Sequence, residues 1–156
     1  MSLDDLALLR KSFDVARRAL ENGTHPFGAI LVGPDGEVLL EQGNAYMPDH
    51  DMTGHAERVL MTRASTRYTP EFLSRCTMYT SAEPCAMCAG AIMHSRIARV
   101  IYGARDPKTG VHASVLDLFA VDQLNHHTEI VGGVLADECG QLLSRFFAER
   151  RKAAKA

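Results

Sequence analysis

Apolar residues near the start of the chain recur every three or four positions, which is the spacing of an amphipathic helix. They are Leu6, Leu9, Phe13, Ala16 and Leu20. Ser2, with Asp5 three residues later, resembles a capping box in which Asp replaces Glu. Gly23 is a typical residue at a helix end. We therefore expect the first helix over residues 3–21.

Short apolar runs between turn residues predict strands. Residues 27–32 form a continuous apolar run, a turn cluster follows at residues 33–36, and residues 38–42 complete a hairpin. Three later runs are rich in strand-forming side chains. They lie at residues 77–80, 99–102 and 128–131.

Helices are expected between the later strands. Thr53 or Gly54 would cap a helix that runs to about Ser65, and Pro84 fits the first turn of the next one. Residues 105–127 show little periodicity and predict loop with a short helix, whereas residues 135 to about 152 form the last helix. The alternation of strands and helices predicts an α/β fold, a mixed sheet with helices on both faces, in a single domain over residues 1–156.

Composition excludes several classes of protein. The 156 residues are 46% hydrophobic and 23% charged, as in ordinary globular domains, and no apolar run is long enough to span a membrane. The acidic first residues predict no secretory signal. Four cysteines, two of them assigned to a metal below, make no disulfide framework, so we expect a cytoplasmic location.

Charge gives a weaker indication about partners. The net charge of −2 predicts no general nucleic-acid surface. Residues 145–155 are basic, however. This segment is either a solvated last helical turn that complements the helix dipole or a contact for a polyanion.

One group of residues carries the candidate chemistry. His55 and Glu57 are separated by one residue, and Cys85 and Cys88 follow Pro84 in a C-x-x-C pair. A catalytic zinc takes three nitrogen, sulfur or oxygen ligands from the protein and keeps a fourth position for water. The predicted zinc ligands are therefore His55, Cys85 and Cys88. Glu57 lies near the metal without being needed as a ligand, which suits a catalytic proton carrier.

Two other interpretations of the cysteine pair explain less. A C-x-x-C pair occurs in redox sites and in structural zinc sites. A structural site needs a fourth ligand, but Cys76 and Cys139 are solitary. A redox pair leaves His55 and Glu57 without a role.

The pattern H-x-E followed by P-C-x-x-C resembles the signature of the zinc nucleobase deaminases, in the cytidine/deoxycytidylate deaminase superfamily. The resemblance implies a three-layer α/β/α sandwich with a mixed five-stranded sheet, and a homodimer. It implies hydrolytic removal of an exocyclic amine from a purine or pyrimidine, with release of ammonia. Glu57 would take a proton from water, pass it to a ring nitrogen and then protonate the departing amine.

The resemblance also implies a set of substrate contacts. They are Asn44, Phe27, Ala29, Ala56 (through its backbone N–H) and Asp106. Each of three has a simpler alternative: Asn44 as a turn residue at a strand end, Phe27 as core packing, and Asp106 as a turn acid before Pro107. His25 and His50 are further candidates for the rim of the pocket.

The two halves of the chain resemble different relatives. From Cys85 onward, including residues 102–110, the sequence resembles bacterial tRNA adenosine deaminases, which make inosine at the anticodon wobble position. The earlier half departs from them, with Phe27 in place of Val, Ala45 in place of Arg and Met52 in place of Pro. It looks more like guanine- or cytosine-type enzymes.

We therefore expect a small-molecule nucleobase or nucleoside as substrate, because recognition of an anticodon loop needs basic side chains that are scarce outside the tail. Adenosine in tRNA is the alternative. A non-catalytic, deaminase-like binding subunit is the third hypothesis, against which the intact His55, Glu57, Cys85 and Cys88 argue.

Overall fold

Five strands form one sheet in the computed structural model, which describes residues 1–155. The strands are β1 (Gly28–Val32), β2 (Val38–Gly43), β3 (Thr77–Ala82), β4 (Arg99–Ala104) and β5 (Glu129–Val131). Their order is β2-β1-β3-β4-β5. β1 pairs antiparallel with β2 and β3, whereas β3, β4 and β5 run parallel. The sheet is therefore mixed and five-stranded, as expected.

Helices cover both faces of this sheet. They are α1 (Leu3–Glu21), α2 (Ala56–Ser65), α3 (Pro70–Leu73), α4 (Ala86–His94) and α5 (Ala136–Lys155), with a short 3-10 helix at Leu118–Ala120. One apolar cluster joins the sheet to α2 and α4, and a second joins its other face to α1 and α5. This confirms the three-layer α/β/α sandwich. No helix in residues 1–155 has the length and apolarity needed to cross a membrane.

Alternation along the central strands explains the two clusters. Met78 in β3 packs towards α2 and α4, and the next residue, Tyr79, packs towards α1 and α5. Val100 and Ile101 in β4 divide in the same way. Successive side chains on a strand point to opposite faces, so both must be apolar when both faces are covered. Burial of each such side chain contributes about 1.5–3 kcal/mol.

The first helix follows its sequence signals closely. Ser2 and Asp5 form the expected capping box. The helix ends at Glu21, and Gly23 adopts a φ of 87°, a left-handed conformation that glycine reaches without the Cβ strain other residues meet.

Three other helix starts differ from the sequence-based expectations. α2 is capped by His55 rather than by Thr53 or Gly54. Cys85 is the cap of α4, so Pro84 precedes the cap and does not lie in the first turn. α3 was not predicted, although Thr69 accepts a hydrogen bond from the Phe72 N–H and Pro70 follows it, a recognisable helix start.

Candidate active site

Three potential metal ligands meet where α2 and α4 begin. His55 Nδ1 lies 3.5 Å from Cys85 Sγ and 3.6 Å from Cys88 Sγ. All three ligand atoms lie within 4.8 Å of one another. Tetrahedral zinc with ordinary Zn–N and Zn–S bonds separates such atoms by about 3.6 Å. The residues therefore fit zinc with three protein ligands, which is the donor set of a catalytic rather than a structural centre.

Two helix N-termini point at this centre because the cap residues are themselves ligands. Neither the His55 nor the Cys85 side chain caps its own helix. The free N–H groups of each first turn and the positive end of each helix dipole favour negative charge nearby. Thiolate ligands are therefore stabilised by the start of α4 as well as by a bound cation.

The two cysteines differ in acidity. A hydrogen bond from Cys88, together with one involving His55, lowers the pKa of the Cys85 thiol to about 4 although burial acts in the opposite direction. The same contact between the cysteines, and burial, raise the pKa of Cys88 above its usual range. Zinc requires both groups as thiolates, so its uptake releases the Cys88 proton.

Glu57 is the buried acid of the site. It is the second residue of α2 and is 7% exposed. Burial, followed by the negative charge of Cys85, raises the pKa of Glu57 to about 7. A carboxyl group with this pKa both accepts and donates protons near neutral pH, which is what one residue needs to act as base and then as acid.

A cavity of about 80 Å³ opens beside His55, Cys85 and Glu57. The rest of its wall comes from separate segments of the chain: His25, Phe27, Asn44, Ala82, Glu83, Asp106 and Thr109. Of the predicted substrate contacts, Asn44, Phe27 and Asp106 thus reach the cavity. So does His25, one of the two rim candidates, whereas His50 lies against Tyr46, with ring centroids 5.5 Å apart.

Asn44 is held in one orientation. Its Oδ1 accepts hydrogen bonds from Thr24 Oγ1 at 2.7 Å and from the Tyr46 N–H at 2.9 Å. The residue is 8% exposed. Because the oxygen is engaged, the amide N–H₂ group is the part of Asn44 that is available to a ligand. In the predicted contact with a ligand, Asn44 would therefore donate the hydrogen bond rather than accept it.

Two predicted contacts lie deeper than the cavity. Ala29 is fully buried in the apolar cluster between β1 and α2, where it packs rather than lining the wall. Ala56 is also fully buried, as the first residue of α2, so only its backbone N–H is directed towards the ligand end of that helix. The alternation of β1 explains Ala29, because its face is the one that α2 covers.

Asp106 is engaged within its own loop. Its carboxylate accepts hydrogen bonds from the N–H groups of Lys108 and Thr109 and from Thr109 Oγ1. This is the turn role that was the alternative interpretation, although the residue also lies at the cavity wall.

Glu83 and Thr109 also line the cavity but were not predicted from the sequence. For Glu83 the sequence did offer a signal, because an acid there directly follows a buried strand and directly precedes Pro84 and Cys85. Thr109 gave no such signal, since only the folding of its loop brings it to the cavity.

A mononuclear site of two thiolates, one imidazole and a buried carboxylate defines a metal-dependent hydrolytic enzyme of the catalytic zinc type. A family model of the cytidine and deoxycytidylate deaminase zinc-binding region matches residues 2–104. The chain belongs to this deaminase family. Its zinc-binding region accounts for the ligands found in the structure.

Several curated proteins are similar along nearly the whole chain. A tRNA-specific adenosine deaminase of Bacillus subtilis is 38% identical over 156 residues, covering 100% of this chain and 96% of the relative. One of Haemophilus influenzae is 39% identical, covering 97% and 87%. A probable cytosine deaminase of Schizosaccharomyces pombe is 38% identical, covering 88% and 89%. The expected division into two halves with different relatives is therefore not supported.

Solved structures agree with the fold. A chain from a study of A-to-I editing by tRNA:A34 deaminases superimposes with a TM-score of 0.79 at 34% identity, covering 88% of this chain and 99% of that one. Guanine deaminase from Nitrosomonas europaea gives a TM-score of 0.73 at 22% identity, covering 94% and 85%. The second similarity concerns the fold alone.

Proposed function

We propose that this protein is a zinc-dependent hydrolytic deaminase that acts on adenosine within an RNA loop, tRNA being the leading candidate. This reverses the order of the two substrates expected from the sequence. The observation that carries the proposal is a groove that continues outward from the reactive cavity and is bordered by cationic side chains.

The groove is larger than the reactive cavity and adjoins it. It has a volume of about 510 Å³ and shares Phe27, Ala82 and Asp106 with the cavity. Three cations stand along it: Arg105, Lys108 and Arg151. A free base would leave this space empty, whereas a nucleotide chain offers a neighbouring base to the apolar wall and phosphates to the cations.

The basic end of α5 lies close to the mouth of the cavity. The Phe146 ring lies 5.6 Å from that of His25, a cavity residue, and the Arg150 guanidinium lies 5.5 Å from the Phe146 ring centroid. Burial, followed by the charge of Arg150, lowers the pKa of His25. Of the two interpretations of this basic segment, contact with a polyanion is thus favoured over a solvated helix end.

The residues suit the reaction as follows. Zinc held by His55, Cys85 and Cys88 would lower the pKa of water and so supply a nucleophile. Glu57 would accept a proton from the attacking water and deliver it to the ring nitrogen. It would then accept the second proton, from the added hydroxyl group, and deliver that one to the departing amine. The Asn44 amide group donates a hydrogen bond that orients the nucleoside. One C–O bond forms, one C–N bond breaks, and ammonia leaves.

The similar proteins support the same substrate. Two relatives named as tRNA-specific adenosine deaminases match at 38% and 39% identity over most of their length. The structure with a TM-score of 0.79 comes from work on tRNA:A34 deaminases.

A free nucleobase is the second candidate. The reactive cavity is small, about 80 Å³, and Phe27 stands at its wall where a flat ring can pack. The probable cytosine deaminase of Schizosaccharomyces pombe is also 38% identical. This candidate explains the cavity but leaves the groove and the basic end of α5 without a role.

The test compares both substrates with the same enzyme. Zinc-loaded protein is incubated with an anticodon stem-loop that carries adenosine at the wobble position. In parallel it is incubated with adenine, guanine, cytosine and their nucleosides, and ammonia and product mass are measured. The proposal requires inosine in the stem-loop and no comparable turnover of the small molecules. Turnover of a free base with an intact stem-loop would reject it, and Glu57→Gln protein controls for contaminating activity.

We also infer that the protein forms a homodimer through α4. Residues 86–93 of this helix carry no charge, a composition typical of a helix covered on all sides. Yet Ala86 is exposed, and Met87 and Gly90 are partly exposed. Sedimentation velocity should show a dimer at micromolar concentration, and Gly90→Glu should give a monomer. A Cβ added at Gly90 meets no atom within 4 Å in the single chain, so the substitution should not disturb the fold. A monomeric wild type would reject the inference.

A further inference from the structure

Glu83 is a buried carboxylate that the reaction does not use. It is 4% exposed and lies two residues before Cys85. None of the ion pairs found among residues 1–155 includes it. Burying a charge without a cation is costly unless several hydrogen bonds replace water. The partners of Glu83 therefore indicate what it does.

All of these partners lie in one segment, residues 105–114, which we term the wall loop. Oε1 accepts hydrogen bonds from the Asp106 N–H at 3.0 Å and from Ser114 Oγ. Oε2 accepts them from the N–H groups of His112 at 2.9 Å and Ala113 at 2.8 Å. One carboxylate thus fastens both ends of a loop whose amides lack partners in a helix or strand.

The wall loop forms one side of the reactive cavity. Asp106 and Thr109 line it together with Cys85 and Glu57. Gly110 forms a bridge with Cys85, and the Val111 N–H donates to the Pro84 carbonyl at 3.0 Å. The position of the loop relative to the ligands therefore sets the width of the space beside the zinc centre.

Gly110 is matched to this carboxylate. A Cβ at residue 110 would lie 2.5 Å from both Glu83 oxygens, closer than real Cβ atoms approach. Its φ is not in the left-handed region, so space rather than backbone strain requires glycine here. Glu83 and Gly110 behave as one packed unit that joins the wall loop to the start of α4.

We propose that Glu83 is a positioning residue that holds the wall loop at the distance from the zinc centre that productive substrate binding requires. Although Glu83 adjoins the cavity, both of its carboxylate oxygens are engaged by the wall loop, so it acts through Asp106 and Thr109 rather than by contact with the substrate. The proposal rests on the proposed function only for the choice of assay substrate.

The test uses Glu83→Ala, Gly110→Ala and the double variant. Displacing the wall by about 1 Å should lower kcat/KM about a hundredfold, mainly through KM, in each single variant. Bound zinc should stay at the wild-type ratio. Amide hydrogen exchange in residues 105–114 should become faster. The matched control for Glu83→Ala is Glu37→Ala, at an exposed acid away from the cavity.

The double variant decides whether the two residues act as a unit. Once the carboxylate is gone, the methyl at residue 110 has room, so the double variant should be no worse than Glu83→Ala alone. Multiplied losses would show independent sites and overturn the proposal. Unchanged exchange in residues 105–114, or loss of zinc in Gly110→Ala, would overturn it too.

A milder variant covers the case in which Glu83→Ala does not fold. In Glu83→Gln the amide oxygen can still accept from His112 and Ala113, but the N–H₂ group cannot accept from Asp106. Exchange should then rise at the Asp106 end of the loop, and unchanged exchange there would again reject the proposal. If wild-type protein deaminates none of the substrates, the proposed function fails, whereas exchange and zinc content still decide the role of Glu83.

Discussion

The two ends of the reactive cavity are built in different ways. The zinc end takes its ligands and its acid from two short segments, residues 55–57 and 85–88, at the starts of two helices. The mouth is assembled from separate parts of the chain: the loop before β1, the end of β2, the wall loop and α5. The reaction type thus depends on local sequence, whereas substrate choice depends on how distant segments meet.

The difference has a physical cause. A helix start fixes the direction of its first side chains, so ligands three residues apart converge whatever surrounds them. Loops have no such internal geometry and depend on partners such as Glu83 and Thr24 for their position. The comparison predicts that variants at the zinc end act on chemistry and metal, while variants at the mouth act on substrate binding.

The largest effect is expected from Cys88→Ser. Serine is a poor zinc ligand, so zinc should be lost, activity should fall to background, and stability should drop by about 2–5 kcal/mol. Metal analysis and urea unfolding measure the two losses. Retention of stoichiometric zinc would show that Cys88 is not a ligand and would contradict the zinc site assigned to His55, Cys85 and Cys88. Cys76→Ser, at a buried cysteine away from the site, is the control for packing loss alone.

Glu57→Gln should separate metal binding from chemistry. Glutamine keeps the shape of the side chain but cannot carry the proton, so kcat should fall by about a thousandfold or more. Bound zinc and the midpoint of unfolding should change little. Steady-state kinetics give kcat, and metal analysis gives zinc content. Turnover near the wild-type rate would contradict the assigned role.

A more moderate loss is expected at the mouth from Asn44→Asp. The carboxylate still accepts from Thr24 and Tyr46, but the donor directed at the ligand disappears. We expect kcat/KM to fall about tenfold to a hundredfold, mostly through KM. Thr24→Val should give a smaller loss in the same direction, because it removes one of the two hydrogen bonds that orient Asn44, together with the bond that Thr24 accepts from the Met47 N–H. A loss confined to kcat would place Asn44 with the zinc end instead.

The zinc end and the mouth also differ in how much of each could be predicted from the sequence. The ligand cluster, the position of Glu57 beside it, the layers and all five strands were predictable because periodicity and spacing are local properties. The caps of α2 and α4 were misplaced by one or two residues since a ligand residue, His55 or Cys85, occupies the cap without a capping side chain. The burial of Ala29 in the core and the hydrogen bonds of Glu83 to the wall loop depend on packing between distant segments, which no local sequence pattern reveals.

Neutralising the basic end of α5 should have a smaller effect, limited to a polyanionic substrate. The triple variant Arg150→Gln, Arg151→Gln and Lys152→Gln should raise KM for the stem-loop about tenfold and flatten its dependence on salt between about 50 and 200 mM. Turnover of any small nucleoside should not change. Arg67→Gln, at an exposed arginine on another surface, is the control. An unchanged salt dependence would show that the basic end of α5 does not contact the substrate at the mouth of the cavity.

Asp5→Asn should leave catalysis unchanged, because Asp5 lies with Tyr79 and Arg99 away from both ends of the cavity. Its Oδ1 accepts hydrogen bonds from the Tyr79 hydroxyl at 2.6 Å and from Arg99 at 3.0 Å. Although burial acts in the opposite direction, hydrogen bonds from Tyr79 and Ser2 lower the pKa of Asp5 from its usual 3.8 to about 2. A lowered pKa stabilises the folded state above pH 3.8, and this contribution is lost as the pH falls towards 2.

Asp5→Asn should therefore reduce the free energy of unfolding by about 1–2 kcal/mol at neutral pH. The difference from wild type should shrink in acid. Urea unfolding at neutral pH and in acid measures this difference in the free energy of unfolding. A change in kcat/KM would contradict the prediction and show that the zinc end is coupled to the far face of the sheet.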